Sequence, residues 1–181
     1  MLSSEVVRQI EGNVVEYNIG FAKQLLEAAN GLKGAGHIIE ESKRAVLYLS
    51  LLSIEVSLKY LLEKAGIPIK DIKNRSHNIE LLLSDLDGCE IISGSIGNDG
   101  RYVPATRIRS RIVNPAYGDA TIGNLLQGES KGASQYPNQI RYGPMPRHYP
   151  SDLMLECAVK VIEWAEQEGQ TIRVRHVPDF D

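Results

Sequence analysis

Residues 45–62 read AVLYLSLLSIEVSLKYLL, and this run determines the expected fold class. Its apolar side chains would surround most of an α-helix rather than form one stripe, which is typical of a helix packed on several sides. The pattern predicts a long central helix over residues 38–64, because the glycine and proline in residues 65–68 end it. A mostly α-helical protein is therefore expected.

The polar residues of this run fall on two narrow stripes. Ser50, Ser53 and Ser57 recur at positions i, i+3 and i+7, so their small side chains would let another helix approach closely. Glu55 and Lys59 stand four residues apart, as in a structural ion pair along one helix. A buried Glu55 would need a partner, and either Lys59 or an arginine from the second half of the chain could serve.

Three further helices are expected around the central one. Apolar residues at steps of three or four predict helices over residues 4–32, 78–86 and 151–168. Gly169 is expected to cap the last of these in a left-handed conformation. Residues 88–150 hold most of the glycines and prolines of the chain, so this segment is expected to be an irregular insert with a short β-hairpin or helix inside it.

Two short segments alternate between apolar and polar residues. Residues 107–112 read RIRSRI, which predicts a strand with Arg107, Arg109 and Arg111 on one face. Residues 171–177 alternate in the same way, and we expect the two strands to pair.

Length and composition fit one ordinary globular domain. The chain has 181 residues, of which 43% are hydrophobic and 24% charged, close to globular averages. Its first residues include acids and lack a basic stub followed by an apolar run, so a secretory signal is not expected and a cytoplasmic location is. Charged and polar residues within the run at 45–62 argue against a lipid-facing membrane span.

Few residue types here suggest metal or cofactor chemistry. Cys89 and Cys157 are the two cysteines, and they stand far apart, without a CxxC or a neighbouring histidine cluster. Neither a zinc site nor a disulfide is expected, and no cofactor is predicted. The sequence also lacks the short motifs of NTP hydrolysis, zinc proteolysis and serine hydrolysis.

The arginines are distributed unevenly. Eight of the eleven follow residue 100, although the net charge is −3. Since arginine holds phosphates and carboxylates in a bidentate manner, the second half is where an anion would bind. Arg107, Arg109 and Arg111 could grip a phosphate backbone while Tyr102 stacks a base. The alternative is a solvent-exposed strand face.

Three segments together resemble the HEPN family of helical domains. The run at 45–62 matches a family helix of the form A…E…LK.LL, and residues 76–82 (SHNIELL) match the (S/T)H(D/N)L..L start of the next helix. Residues 140–142 (IRY) are similar to the family's C-terminal R-Y segment. The resemblance covers about half the chain and leaves out most of the insert.

The resemblance implies a fold and a set of functions. It implies that residues 1–181 form a single HEPN-like domain, an up-down helical bundle that forms a homodimer. Members of the family are RNA-cleaving toxins, anti-phage effectors beside a small nucleotidyltransferase, or non-catalytic binders of nucleotides and nucleic acids. RNA or nucleotide binding is therefore expected, with a place in toxin–antitoxin or anti-phage defence and a nucleotidyltransferase-like partner.

Catalytic members of the family carry an Arg-x(4–6)-His motif at the final helix. Arg141 and His148 are separated by six residues, so the resemblance makes them the catalytic pair of a metal-independent endoribonuclease. Arg147, directly before His148, is expected to help bind the RNA or nucleotide. Pro144 and Pro146 oppose the helical turns that would place such a pair. The alternative is that both are loop residues that hold the insert.

The sequence allows two interpretations of His77 and two of the chain as a whole. His77 either contacts a bound nucleotide near the cleft of Arg141 and His148, or is a helix-entry residue whose imidazole caps the helix or bonds the backbone. The whole chain is either an RNA- or nucleotide-binding protein or a helical module that binds an anionic protein partner.

A ribonuclease that uses Arg141 and His148 has a defined signature. Cleavage should persist in EDTA and leave a 2′,3′-cyclic phosphate, because the nucleophile is the RNA's own hydroxyl. If Arg141 and His148 are the catalytic pair, His148→Ala lowers the cleavage rate about a hundredfold or more and leaves RNA affinity nearly intact, since general acid–base catalysis contributes at least that much. Gel assays of end-labelled RNA measure both effects, and cleavage that EDTA abolishes would contradict the prediction.

Overall fold

The fold is mostly helical, as the apolar pattern predicts. The computed structural model describes residues 15–35, 40–92, 101–127, 136–144 and 151–175, of which 71% are helical and 8% lie in strands. The helices in chain order are α1 (Ile19–Gly34), α2 (Glu40–Lys64), α3 (Ile69–Asn74), α4 (Ile79–Asp85), α5 (Ile122–Leu126), α6 (Asn138–Tyr142) and α7 (Ser151–Gln167).

Helix α2 is the centre of the core. Helices α1 and α7 both pack along it and against each other, and α4 packs on its second half. Leu47, Leu51, Ile54, Leu58 and Leu61 of α2 are fully buried, and burying each of these side chains contributes about 1.5–3 kcal/mol to folding. By length and hydropathy α2 could also span a membrane, but 67% of its most apolar window is buried inside the protein.

Ser50, Ser53 and Ser57 of α2 lie inside the core, and each of their hydroxyls is hydrogen-bonded. Ser53 Oγ donates to the carbonyl of Ala22 in α1 at 2.8 Å. This hydrogen bond joins α2 to α1. Ser50 and Ser57 donate to the carbonyls of Val46 and Ser53, four residues back in their own helix, at 2.8 Å each. These bonds remove the cost of burying the hydroxyls.

Helix α1 begins later than the sequence pattern predicts. The expected helix over residues 4–32 is wrong at residues 15–18, which are not helical, and residues 1–14 lie outside the described ranges. The amides of Glu16 and Tyr17 donate to the two carboxylate oxygens of Glu63 at 2.9 Å each. Asn18 then caps the helix by accepting a hydrogen bond from the amide of Gly20. Glu63 therefore occupies the amides that a continuing helix would have bonded internally.

A small antiparallel sheet forms on a different segment from the one expected. Strand β1 (Cys89–Ile92) lies between β2 (Tyr102–Pro104) and β3 (Arg173–Val174). The antiparallel pair in the insert is thus β1 with β2, and the C-terminal strand pairs with β1. The expected pairing of residues 171–177 with residues 107–112 is wrong.

The predicted strand at residues 107–112 is instead mostly a 3-10 helix over Ala105–Ser110. Ala105 and Ile108 are fully buried, and their spacing of three residues is the repeat of a 3-10 helix. Ile112, which a strand would place on the same face as Ile108, is 47% exposed and makes an isolated bridge to Thr121. The alternation in sequence therefore does not correspond to alternate burial.

Gly169 is required for a different reason from the one predicted. It begins a 3-10 turn, Gly169–Thr171, and left-handed φ angles among the described glycines occur at Gly66 and Gly118 instead. A side chain at residue 169 would contact Cδ2 of Leu61 in α2. Glycine at this position lets the chain pass close to the central helix without displacing the Leu61 side chain.

We expect Ser53→Leu to lower the free energy of unfolding by about 1–3 kcal/mol, because the larger side chain overpacks the contact between α1 and α2. The variant also loses the hydrogen bond to Ala22. Thermal or urea unfolding followed by circular dichroism measures the change, with Glu41→Leu on the exposed face of the same helix as the control. Equal stability of wild type and Ser53→Leu would contradict this placement.

Candidate functional site

A buried carboxylate in the middle of α2 is the centre of the candidate site. Glu55 is 3% exposed and receives hydrogen bonds from three side chains. Lys59 Nζ lies 2.8 Å from Oε1, the Tyr136 hydroxyl donates to Oε2 at 2.7 Å, and His77 Nδ1 lies 3.1 Å from Oε2. We call these four residues the Glu55 cluster.

The three partners compensate for the cost of burying the charge. A carboxylate removed from water is strongly destabilised unless it is paired and fully hydrogen-bonded. Lys59, itself only 8% exposed, supplies the opposite charge from one turn along the helix. Burial, followed by the adjacent charge of Glu55, raises the pKa of Tyr136 well above its usual value, so its hydroxyl keeps its proton and remains a donor.

His77 is oriented by this carboxylate. A carboxylate can only accept hydrogen bonds, so Nδ1 of His77 must carry the proton that the Glu55 oxygens receive. The neutral imidazole then has an acceptor lone pair at Nε2. The side chain of His77 is 48% exposed, which leaves the ring partly open to solvent above a buried anion.

The turn that carries His77 is fixed on both sides. Before it, Arg75 makes a bidentate pair with Asp85 at 2.7 and 2.9 Å. After it, the side chain of Asn78 caps α4 by accepting from the amide of Leu81 at 2.9 Å. Asn78 is therefore the capping residue, and the interpretation of His77 as a backbone-bonding residue at the helix entry is wrong.

Ser76, directly before His77, has a left-handed backbone with a φ angle of 51°. This conformation is unfavourable for a residue other than glycine and is concentrated at functional sites. It belongs to the turn that holds the imidazole against Glu55.

An open cleft of about 360 Å³ adjoins the Glu55 cluster. It lies between the turn at residues 75–78 and the start of α6, and its lining includes His77, Tyr136, Asn78 and Asn138. An imidazole, a phenol and two amides can exchange hydrogen bonds with a polar ligand. The cleft is of the size and character that a nucleotide base or ribose could enter.

Aromatic rings continue from the cleft toward α6. The ring of Tyr136 lies 6.1 Å from that of His77 and 5.5 Å from that of Tyr48 in α2. We call Tyr48, Tyr136 and His77 the aromatic row. At its end the guanidinium of Arg141 lies 5.0 Å from the Tyr48 ring and donates to the Tyr48 hydroxyl. Tyr142, the next residue, is 81% exposed.

The predicted catalytic pair is only half described. Arg141 lies in the last turn of α6, which ends at Tyr142 with Gly143 as its cap. His148 and Arg147 lie outside the described ranges. The pairing of Arg141 with His148, and the binding role of Arg147, therefore stay predictions.

The arginines of residues 107–111 have separate surroundings. Arg109 is bound to Asp87 and to the carbonyl of Leu83. Arg111 lies 3.9 Å from Glu168, whereas Arg107 is exposed. The structure thus does not place the three side chains in one strand row.

Arg107 and Arg111 do share a second cleft, which also has Glu168 and Ser110 in its lining. Tyr102 lies on the sheet, with the guanidinium of Arg173 stacked 3.3 Å from its ring centre. That ring face is therefore covered by an arginine of the protein itself. Nucleic-acid binding by Arg107, Arg109, Arg111 and Tyr102 stays a prediction.

Tyr48 and Tyr136 are the site residues that the sequence does not reveal. Tyr136 falls at the edge of the insert and 81 positions from Glu55, so no local spacing connects the two. The one signal in the sequence is that a buried Glu55 needs a partner, for which Lys59 or an arginine of the second half was expected and not a tyrosine.

The two thiols lie away from this chemistry. Cys89 and Cys157 are both buried and free, and burial raises the pKa of Cys89 to about 11 and raises that of Cys157 as well. Such thiols stay protonated and are poor nucleophiles. Within the described ranges, no group of three or more His, Cys, Asp or Glu side chains could hold a metal ion.

Comparisons with protein-family models, with curated proteins and with solved structures found no match to this chain. Its function therefore has to be inferred from its own residues and their geometry.

We expect Lys59→Met to lower the free energy of unfolding by about 3–5 kcal/mol, because it leaves Glu55 as a buried charge without its counter-charge. The double variant Glu55→Gln/Lys59→Met should regain much of this loss, since it removes both charges. Urea unfolding measures the three values. Lys43→Met is the control, because the exposed pair of Lys43 with Glu40 is worth less than about 1 kcal/mol. Equal losses of unfolding free energy in Lys59→Met and Lys43→Met would contradict the buried pair of Glu55 with Lys59.

Proposed function

We propose that this chain is a HEPN-like helical bundle that binds RNA or a nucleotide at the cleft beside the Glu55 cluster and along α6. One observation carries the proposal. The three segments that resemble the family are far apart in sequence, yet Tyr48 and Glu55 of the first, His77 of the second and Arg141 of the third are linked by direct contacts or through Tyr136.

The chemistry of this surface suits a nucleotide. Protein surfaces that bind single-stranded RNA combine a cation for the phosphate with aromatic rings on which bases stack. Arg141 supplies a planar cation and Tyr142 an exposed ring immediately beside it. The side chain of Tyr142 is 81% exposed, so its ring is open to stacking by a base.

The charge of Arg141 is available for an anion. Its partner is the neutral hydroxyl of Tyr48, and no carboxylate pairs with it within the described parts of the chain. By contrast, Arg75 is neutralised by Asp85, and Lys59 by Glu55. A bound phosphate would therefore meet one uncompensated guanidinium beside the aromatic row.

The proposal has further parts: the homodimer, the defence role and the protein partner rest on the resemblance, and the cytoplasmic location rests on the composition of the first residues. We propose that the protein acts as a homodimer in the cytoplasm, in toxin–antitoxin or anti-phage defence. Its protein partner would be a small nucleotidyltransferase-like protein. The helical interaction module that binds an anionic protein remains the alternative of a different class.

We expect Arg141→Ala and Tyr142→Ala each to weaken binding of a short single-stranded RNA about five- to a hundredfold, since one stacked base contributes about 1–3 kcal/mol. Arg141→Ala should also reduce the slope of log affinity against log salt by about 0.7, the value for one phosphate of a single strand. Tyr142→Ala should leave the slope unchanged. Fluorescence anisotropy at several salt concentrations measures both quantities.

Lys23→Ala is the matched control, because it removes an exposed positive charge that pairs with Glu166 in α7, outside the proposed surface. Arg107→Ala and Arg111→Ala test the second cleft in the same assay. If RNA affinity falls in Arg107→Ala and Arg111→Ala but not in Arg141→Ala or Tyr142→Ala, the RNA binds at the second cleft instead. Absence of RNA and nucleotide binding at low salt would favour the interaction module.

A further inference from the structure

The Glu55 cluster contains an arrangement that ligand binding alone does not require. A carboxylate buried in the core holds Nδ1 of an imidazole that is itself about half exposed at a cleft. A carboxylate so placed fixes both the tautomer and the orientation of the ring, and it stabilises the imidazolium that forms when Nε2 accepts a proton. That is the arrangement of a positioned general base.

The surroundings hold this pair rigidly. Glu55 is fixed by Lys59 and Tyr136 as well as by His77, so its carboxylate cannot turn away without losing two other hydrogen bonds. The backbone before His77 is held in the left-handed conformation of Ser76. Preorganisation of this kind is what catalysis needs, because a small displacement of a catalytic group costs a large part of the rate.

We propose that His77, oriented by Glu55, is the general base of a metal-independent ribonuclease site in this cleft. The proposal rests on the proposed function, since it requires RNA to bind there. His77 would be the catalytic residue and Glu55 a positioning residue. It differs from the Arg141–His148 pair that the resemblance implies, because the base lies at the entry of α4 instead of near the final helix.

The reaction is an internal transesterification of RNA. Nε2 of His77 accepts the proton of a ribose 2′-hydroxyl, and the 2′-oxygen forms a bond to the adjacent phosphorus. The bond from phosphorus to the 5′-oxygen breaks, and the departing 5′-oxygen takes a proton from solvent. The products are a 2′,3′-cyclic phosphate and a 5′-hydroxyl, and the imidazolium returns its proton to solvent.

Two amides in the cleft lining can stabilise the charge that develops. Asn78 uses its side-chain oxygen to cap α4, which leaves its NH₂ group as a donor. Asn138 lines the opposite side at the start of α6. Donors placed near a phosphorane oxygen lower the barrier because the charge on that oxygen increases in the transition state.

The test uses the full chain with a fluorescent single-stranded RNA of mixed sequence, in EDTA, and the same sequence as DNA. Wild type should cleave the RNA to products with 2′,3′-cyclic phosphate ends and leave the DNA intact. His77→Ala should lower the cleavage rate about a hundredfold or more, the usual contribution of a general base. Its RNA affinity, measured separately by anisotropy, should fall far less than the cleavage rate, since the variant loses the contact of one cleft residue while the phosphate contact of Arg141 remains.

His148→Ala is the discriminating variant and should retain wild-type cleavage. If the cleavage rate falls in His148→Ala but stays at the wild-type value in His77→Ala, the assignment is overturned in favour of the Arg141–His148 pair. RNA binding without cleavage would overturn the ribonuclease site and leave the proposed function standing. Absence of binding would overturn both.

The role of Glu55 has its own spectroscopic test. Nitrogen NMR of the wild-type imidazoles at high pH should show His77 with its proton on Nδ1, and His77→Ala identifies that signal by its loss. Glu55→Gln should populate the other tautomer, because a side-chain amide can either accept from or donate to Nδ1. A wild-type His77 protonated on Nε2 would overturn the positioning role, whether or not Glu55→Gln folds.

Discussion

The buried charge of Glu55 is the constraint on which the candidate site depends. A carboxylate in the centre of the main core helix is strongly destabilising by itself, and it becomes acceptable when each of its oxygens is hydrogen-bonded. Its donors come from one turn along the same helix, from the loop before α4, and from the segment before α6. One anion thus joins three parts of the chain, and the cleft lies where they meet.

The same physical rule recurs at a second carboxylate of α2. Glu63 accepts from two backbone amides that precede α1, and Lys73 pairs with the adjacent Glu16. The central helix therefore fixes the chain entering α1 through Glu63 and the loop entering α4 through Glu55. Its apolar side chains form the core, while these two carboxylates determine how the connecting segments lie against it.

The arginines and lysines around the candidate site differ in whether a carboxylate pairs with them. Arg75, Arg109 and Lys59 are held by carboxylates, and their charges are largely cancelled at short range. Arg141 rests on an aromatic ring and a neutral hydroxyl, so its charge is still available to an anion. His77, about half exposed above the buried Glu55, lies in the aromatic row.

The sequence by itself determined the helical class and the main helices, because the apolar pattern of a helix is a local property that its own residues encode. Residues 45–62 were sufficient to predict a helix packed on several sides, and α2 ends near the glycine and proline that follow it. Local pattern was insufficient at residues 105–110, where the burial of Ile108 against the core overrode an alternating strand pattern. The four-residue spacing predicted Lys59 as a partner of Glu55, and the structure has that pair. Only the tertiary structure decided the partners His77 and Tyr136, since Tyr136 is 81 positions away and a buried charge selects such donors by proximity after folding, which no spacing along the chain records.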